Sequence, residues 1–227
     1  MLPEPTNSVW QALSVKPELH GFVLVGGSAL ALHLNHRISE DLDFAWPHPR
    51  LPREVLRKLT NSDSDFRFKL YQDPLAEREA DDSGLDLGDF SQNFVVDDLV
   101  KVTFFCLEAP ERRILLETSD EALRVATIPE IFALKALVSA KRSKARDWFD
   151  LYVLMKDHGF SWKDFYQVFV RSSNEGQYDF AAQRLSSARP PREDEGYQAL
   201  VPHPPSVEEM RDFFLQRRNA YERGEEV

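Results

Sequence analysis

The chain has 227 residues with 28 Lys+Arg against 38 Asp+Glu, a net charge of −10, and a hydrophobic fraction of 42%. That fraction can bury a core and excludes wholesale disorder. The negative balance excludes a general nucleic-acid coating protein, because phosphate binding needs a positive surface; any RNA contact must use a local basic patch. Cys106, the single cysteine, excludes an intrachain disulfide or a thiolate cluster and fits a reducing cytoplasm. The first residues lack a basic and apolar signal region, and no apolar run approaches the ~20 residues that span a bilayer, so the expectation is a cytoplasmic protein with no membrane association.

In chain order, a short amphipathic helix is predicted over 7–16, ending near Pro17. Residues 22–25 form an apolar run that reads as a buried strand. Gly26-Gly27 breaks it, and Ser28 is placed as N-cap of the helix that follows. Residues 41–45 alternate polar and apolar, as a half-buried strand does. Pro52 opens a helix to about Thr60, and 66–71 alternate again. The acidic stretch 73–91 reads as an exposed loop. Strands over 93–96 and 99–105 flank an Asp97-Asp98 turn, and 123–126 reads as a short edge strand. After Thr127 the apolar spacing becomes helical, over 128–141, 144–156, 162–171 and 177–185. A polar loop begins at Arg189, and Ser206 caps a last helix to about Tyr221. The expected domains are an α/β half over 1–126 and an all-helical half over 127–227, the two packed on each other.

Two clusters of polar residues stand out. In the first, Gly26 and Gly27 lie between a strand and a helix, where glycine lets the backbone approach a phosphate and the helix start offers free N–H groups and a positive dipole end. Ser28 adds a hydroxyl there. Asp41 and Asp43 are two apart on a predicted strand and share a face, so a cation bridging them would relieve their repulsion. Magnesium takes one or two carboxylates together with phosphate oxygens and water. Taken singly, an Asp-x-Asp is most often a solvated face and a Gly-Gly a turn. Arg37 balances the acidic pair or touches phosphate, or else forms a surface salt bridge with Glu40 or Asp41.

The second cluster, 134–151, holds five cations and two acids. Lys135 sits among apolar neighbours, so its stem can be buried while its tip reaches a polar group. Arg142, Lys144 and Arg146 fall at a helix junction and read either as a phosphate- or RNA-backbone patch or as a solvated basic run. Asp147 and Asp150 share a helix face, and Arg146 with Asp150 has the spacing of an ordinary helix ion pair.

Gly26-Gly27-Ser28, twelve residues, then Asp41-Leu42-Asp43-Phe44 resembles the hallmark of DNA polymerase β-like nucleotidyltransferases. The longer string GGSALALHLNHRISEDLDF, with His36-Arg37 before the acidic pair, resembles the AbiEii/AbiGii toxin family. Lys135, followed by Arg142-x-x-x-Arg146-Asp147-x-x-Asp150-Leu151, is similar to that family's second motif. The resemblance implies an α+β fold, with an N-terminal nucleotidyltransferase domain on a mixed sheet. It implies that Asp41 and Asp43 hold Mg²⁺, two ions in all, that Gly26, Gly27 and Ser28 seat an NTP, and that Lys135 contacts its phosphates. Asp147 or Asp150 would supply a further carboxylate to orient or deprotonate the acceptor.

That last role matters because the superfamily places a third acid on a later strand. Thr103 occupies the expected position here. The implied reaction is NMP transfer to an acceptor hydroxyl. By resemblance the acceptor is a tRNA 3′ end, and the chain is a toxin with a cognate antitoxin protein as partner. Transfer to a protein hydroxyl and NTP binding without turnover are the alternatives.

Overall fold

The computed structural model describes residues 1–62, 66–71, 74–115, 122–187 and 198–225. It divides into two compact units that are not continuous in sequence. A sheet unit takes Met1–Leu32, Ser39–Glu108 and Leu115–Ala126, and a helical unit takes His33–Ile38, Ala109–Ile114 and Thr127–Val227.

The sheet unit is built on six strands: β1 (Val23–Val25), β2 (Leu42–Trp46), β3 (Phe68–Tyr71), β4 (Ser91–Val96), β5 (Val100–Cys106) and β6 (Arg124–Val125). Their order is β3-β4-β5-β2-β1-β6. The sheet is mixed: β2 runs parallel to β5 and β1 parallel to β6, while β1/β2, β3/β4 and β4/β5 are antiparallel. This is the expected α+β class.

Alternation decides which face is dry. Leu42, Phe44, Val102, Phe104, Phe94 and Val96 are all buried. Phe44 and Phe104, directly paired across β2 and β5, stack at 5.2 Å between ring centroids. Helix α1 (Thr6–Leu13) brings Trp10 to 6.4 Å from Phe44. The intervening residues Asp43, Thr103 and Asn93 point to the other face. The β4–β5 turn carries Asp97 and Asp98 at φ 51° and 58°, with the Leu99 N–H on the Val96 carbonyl at 3.0 Å. Short acidic side chains tolerate that left-handed pair better than branched ones.

Helix α2 (Gly26–Leu34) begins at Gly26 itself, so Ser28 is not its N-cap but lies inside the first turn. Gly26, at φ +74°, turns the chain from strand to helix without a capping side chain. Helix α3 spans Arg53–Ser62. The expected exposed loop over 73–91 is instead partly helical: α4 covers Pro74–Asp82, and a 3₁₀ turn covers Leu87–Asp89 with the Asp86 carboxylate accepting from the Gly88 N–H. Pro74 at a first helical position, followed by Leu, Ala, Glu and Arg, gives good helix propensity that the acidic composition masks.

The helical unit contains α5 (Ala109–Leu115, its last residue counted with the sheet unit), α6 (Ile128–Lys141), α7 (Ala145–Asp157), α8 (Trp162–Arg171), α9 (Tyr178–Leu185) and α10 (Val207–Glu222). Helices α6, α8 and α10 each start with a capping box, at Thr127/Glu130, Ser161/Asp164 and Ser206/Glu209. Such caps are worth about 1 kcal/mol each. Helix α6 is surrounded by α7, α8 and α9. It is accordingly buried around most of its circumference, from Ile131 to Leu137. Trp148, Trp162, Phe165, Phe169 and Phe214 fill the interior. The polar loop expected from Arg189 lies outside the described residues.

Candidate active site

In the sheet unit, the register aligns Val25, Asp43, Thr103 and Asn93 across β1, β2, β5 and β4. Thr103 is thus the direct neighbour of Asp43, and its hydroxyl donates to the Asn93 side-chain oxygen at 3.1 Å. Asp41 immediately precedes β2; both it and Asp43 are half-buried. A Cβ on Gly26 would stand 2.9 Å from Asp43 Oδ2. Glycine therefore leaves open the space beside that carboxylate where the helix begins. Among the described residues no group of three or more His, Cys, Asp or Glu side chains is arranged to hold a metal ion. Asp43 stands beside a glycine helix start and Asp41 lies two residues before it; one or two carboxylates are a donor set that magnesium completes with phosphate oxygens and water, so these residue types suit that ion.

Ser28 is 1% exposed. Its hydroxyl contacts the Asp41 carbonyl and lies 3.0 Å from the Ser39 hydroxyl. A carbonyl only accepts, so Ser28 gives its one proton to Asp41, and Ser39 donates to Ser28. No proton of Ser28 remains for a phosphate oxygen.

In the helical unit, Lys135 from α6 and Asp147 and Asp150 from α7 come together with His36 and Arg37. Asp150 is 0% exposed. It accepts from His36 Nε2 at 2.7 Å, Arg37 Nε at 2.7 Å and Arg37 Nη2 at 2.9 Å, and pairs with Lys135 Nζ at 2.6 Å. A carboxylate offers about four acceptor positions, and those of Asp150 are filled. Asp147 pairs with Lys135 Nζ at 2.7 Å and Arg142 Nε at 2.9 Å.

Burial pushes both carboxyls up, but the cations outweigh it. Lys135 and Arg142 bring Asp147 down to about 2, and Lys135 and Arg37 hold Asp150 well below the usual carboxylate range. Burial lowers the His36 pKa, and its hydrogen bond to Asp150 offsets this only in part. A neutral His36 places its proton on Nε2, toward Asp150; Nδ1 is left as a buried acceptor with no hydrogen-bond partner among the described residues.

Arg37 is therefore not a surface partner of Glu40 or Asp41; it is 4% exposed and bound to Asp150. The Arg146–Asp150 helix pair does not form, because other donors fill Asp150. Arg142 is half-exposed, while Lys144 and Arg146 form no ion pair among the described residues. Sequence reasoning missed three contributors. Thr6 donates to the Glu40 carbonyl at 2.9 Å. Gln198 accepts from the Ile38 N–H and Leu200 donates to the His36 carbonyl, so 198–200 runs beside 36–38. No local signal marks these residues, because their partners are backbone groups far away in sequence.

A model of the family described as "Nucleotidyl transferase AbiEii toxin, Type IV TA system" matches residues 8–217. The chain belongs to that family. An uncharacterized protein of Aquifex aeolicus (strain VF5), aq_aa25, is 27% identical over 206 residues, which is 88% of this chain and 87% of that protein. Among solved structures, MenT4, a nucleotidyltransferase toxin of Mycobacterium tuberculosis H37Rv, aligns at 14% identity over 75% of this chain and 78% of its own, with a TM-score of 0.35. The described residues include no helix long and apolar enough to cross a membrane.

Proposed function

We propose that the chain transfers a nucleoside monophosphate from an NTP to an acceptor hydroxyl, as the toxin of a toxin–antitoxin pair. The observation that carries this reading is the placement of Gly26, at a helix start, against the Asp43 carboxylate, with Asp41 two residues before it. Backbone N–H groups at Gly26 and Gly27 seat the triphosphate. Asp41 and Asp43 would hold Mg²⁺, which when bound shields the phosphate charge as the leaving group departs. The acceptor oxygen bonds to the α-phosphorus, the bond to the β-phosphate oxygen breaks, and pyrophosphate and the hydroxyl proton leave.

RNA, such as a tRNA 3′ end, is the acceptor favoured by Arg142, Lys144 and Arg146 at the α6–α7 junction, a basic group in an acidic chain. Incubation with labelled NTPs and purified tRNA, against lysate protein, tests this. Label is expected in tRNA, with Asp41→Ala abolishing it; label found only in protein would sink the RNA acceptor. Thr103 beside Asp43 supports a second reading, NTP binding without turnover. That reading wins if the protein binds NTP with Mg²⁺ but releases pyrophosphate with none of the acceptors supplied.

A further inference from the structure

Residues 39–41 belong to no helix or strand, yet their backbone groups have partners. The Ser39 N–H donates to the Met1 carbonyl at 3.1 Å. The Glu40 carbonyl accepts from Thr6 Oγ1 at 2.9 Å, and the Asp41 carbonyl accepts from Ser28. Both hydroxyls are buried, Thr6 at 2% and Ser28 at 1% exposure, and they come from different helices, α1 and α2.

These two carbonyls belong to the peptide planes on either side of the Asp41 Cα. A planar peptide moves as one body, so holding a carbonyl holds its whole plane. Holding both planes fixes φ and ψ of Asp41, and hence the direction in which its side chain leaves the backbone. Only the side-chain torsions remain free. A carboxylate that must meet a cation alongside Asp43 needs that direction set in advance.

We infer that Thr6 and Ser28 are positioning residues for Asp41, and that Ser28 acts through this carbonyl and not as a ligand of the triphosphate. The inference rests on the metal role given to Asp41 above. Thr6→Val keeps the side-chain shape and removes the hydroxyl; Ser28→Ala does the same on the other plane, and Thr6→Ser restores the donor.

Two readouts apply to the full-length protein: hydrogen exchange in peptides spanning 36–44, and the Mn²⁺ concentration for half-maximal transfer. Thr6→Val and Ser28→Ala should each speed exchange and raise that concentration about three- to tenfold, the range set by loss of one hydrogen bond. KM for NTP at saturating Mn²⁺ should stay unchanged, and Thr6→Ser should match the wild type. If Ser28→Ala raises KM while Thr6→Val changes nothing, Ser28 is a phosphate ligand and the inference fails. It fails equally if exchange is unaltered in both. If wild-type protein transfers to no acceptor, the transferase reading falls by itself. Positioning is then judged by exchange and by Mn²⁺ affinity from paramagnetic resonance, and unshifted affinity in both variants overturns it.

Discussion

At the scale of single residues, hydrogen-bond capacity separates groups that can act on a substrate from groups already committed. Asp150 has the burial and the depressed pKa that often mark a functional carboxylate, yet four donor contacts occupy it. Asp150→Asn would remove the buried negative charge that Arg37 and Lys135 share, leaving Lys135 with Asp147 alone. Breaking a buried pair from one side costs about 3–5 kcal/mol, whereas an exposed pair is worth ~1 kcal/mol or less. Urea unfolding should therefore show a large loss for Asp150→Asn and a small one for Arg142→Ala, since Arg142 is half-exposed. Equal losses would contradict this picture of the cluster. The residue types here were legible in the sequence, but their partners were not. Arg37 offered no sign that it would turn to a carboxylate more than 100 positions away.

At the scale of elements, periodicity was read well where burial is one-sided or caps are explicit. Helices α6 and α8 fall at the expected bounds, Ser206 caps α10, and β6 is the edge strand anticipated over 123–126. The expected loop failed at α4, and α5 was not anticipated; in both, helix-forming residues are mixed with acids, proline and little apolar stripe. The β2–β5 register has a chemical consequence. Thr103→Asp would set a third carboxylate next to Asp43, repelling it in the absence of a cation and helping hold one when present. Magnesium with NTP should raise the melting temperature of Thr103→Asp more than that of the wild type. A smaller shift in the variant would show that β5 does not face the nucleotide.

For the whole molecule, the composition foretold an acidic protein able to bury a core, but not that residues 33–38 and 109–114 would join the helical unit. Chain order cannot reveal such an exchange, because it depends on contacts like Ile38 with Gln198. Stability against pH follows from the depressed groups. For His36 the unfolded state, with a pKa of about 6.5, binds more protons than the folded state. Its contribution is complete above that value and is lost as pH falls toward the lower folded pKa. The contributions of Asp147 and Asp150 are complete above about 4 and are lost as pH falls toward 2 and below. The net charge of −10 acts oppositely, since mild acid relieves self-repulsion. The urea midpoint of His36→Gln should thus depend less on pH between 7 and 5 than that of the wild type; an identical dependence would remove His36 from the account.

The run from His36 to Asp41 is tethered at every step: His36 and Arg37 to Asp150, Ile38 to Gln198, Ser39 to Met1, Glu40 to Thr6 and Asp41 to Ser28. The stretch from His36 to Asp41, which closes the twelve-residue interval after Ser28, is consequently a measured length and not slack chain. An inserted or deleted residue among these six would shift every later tether out of phase. Asn35, exposed and at φ 52°, lies just outside the tethered run, where a change of length disturbs none of these bonds directly.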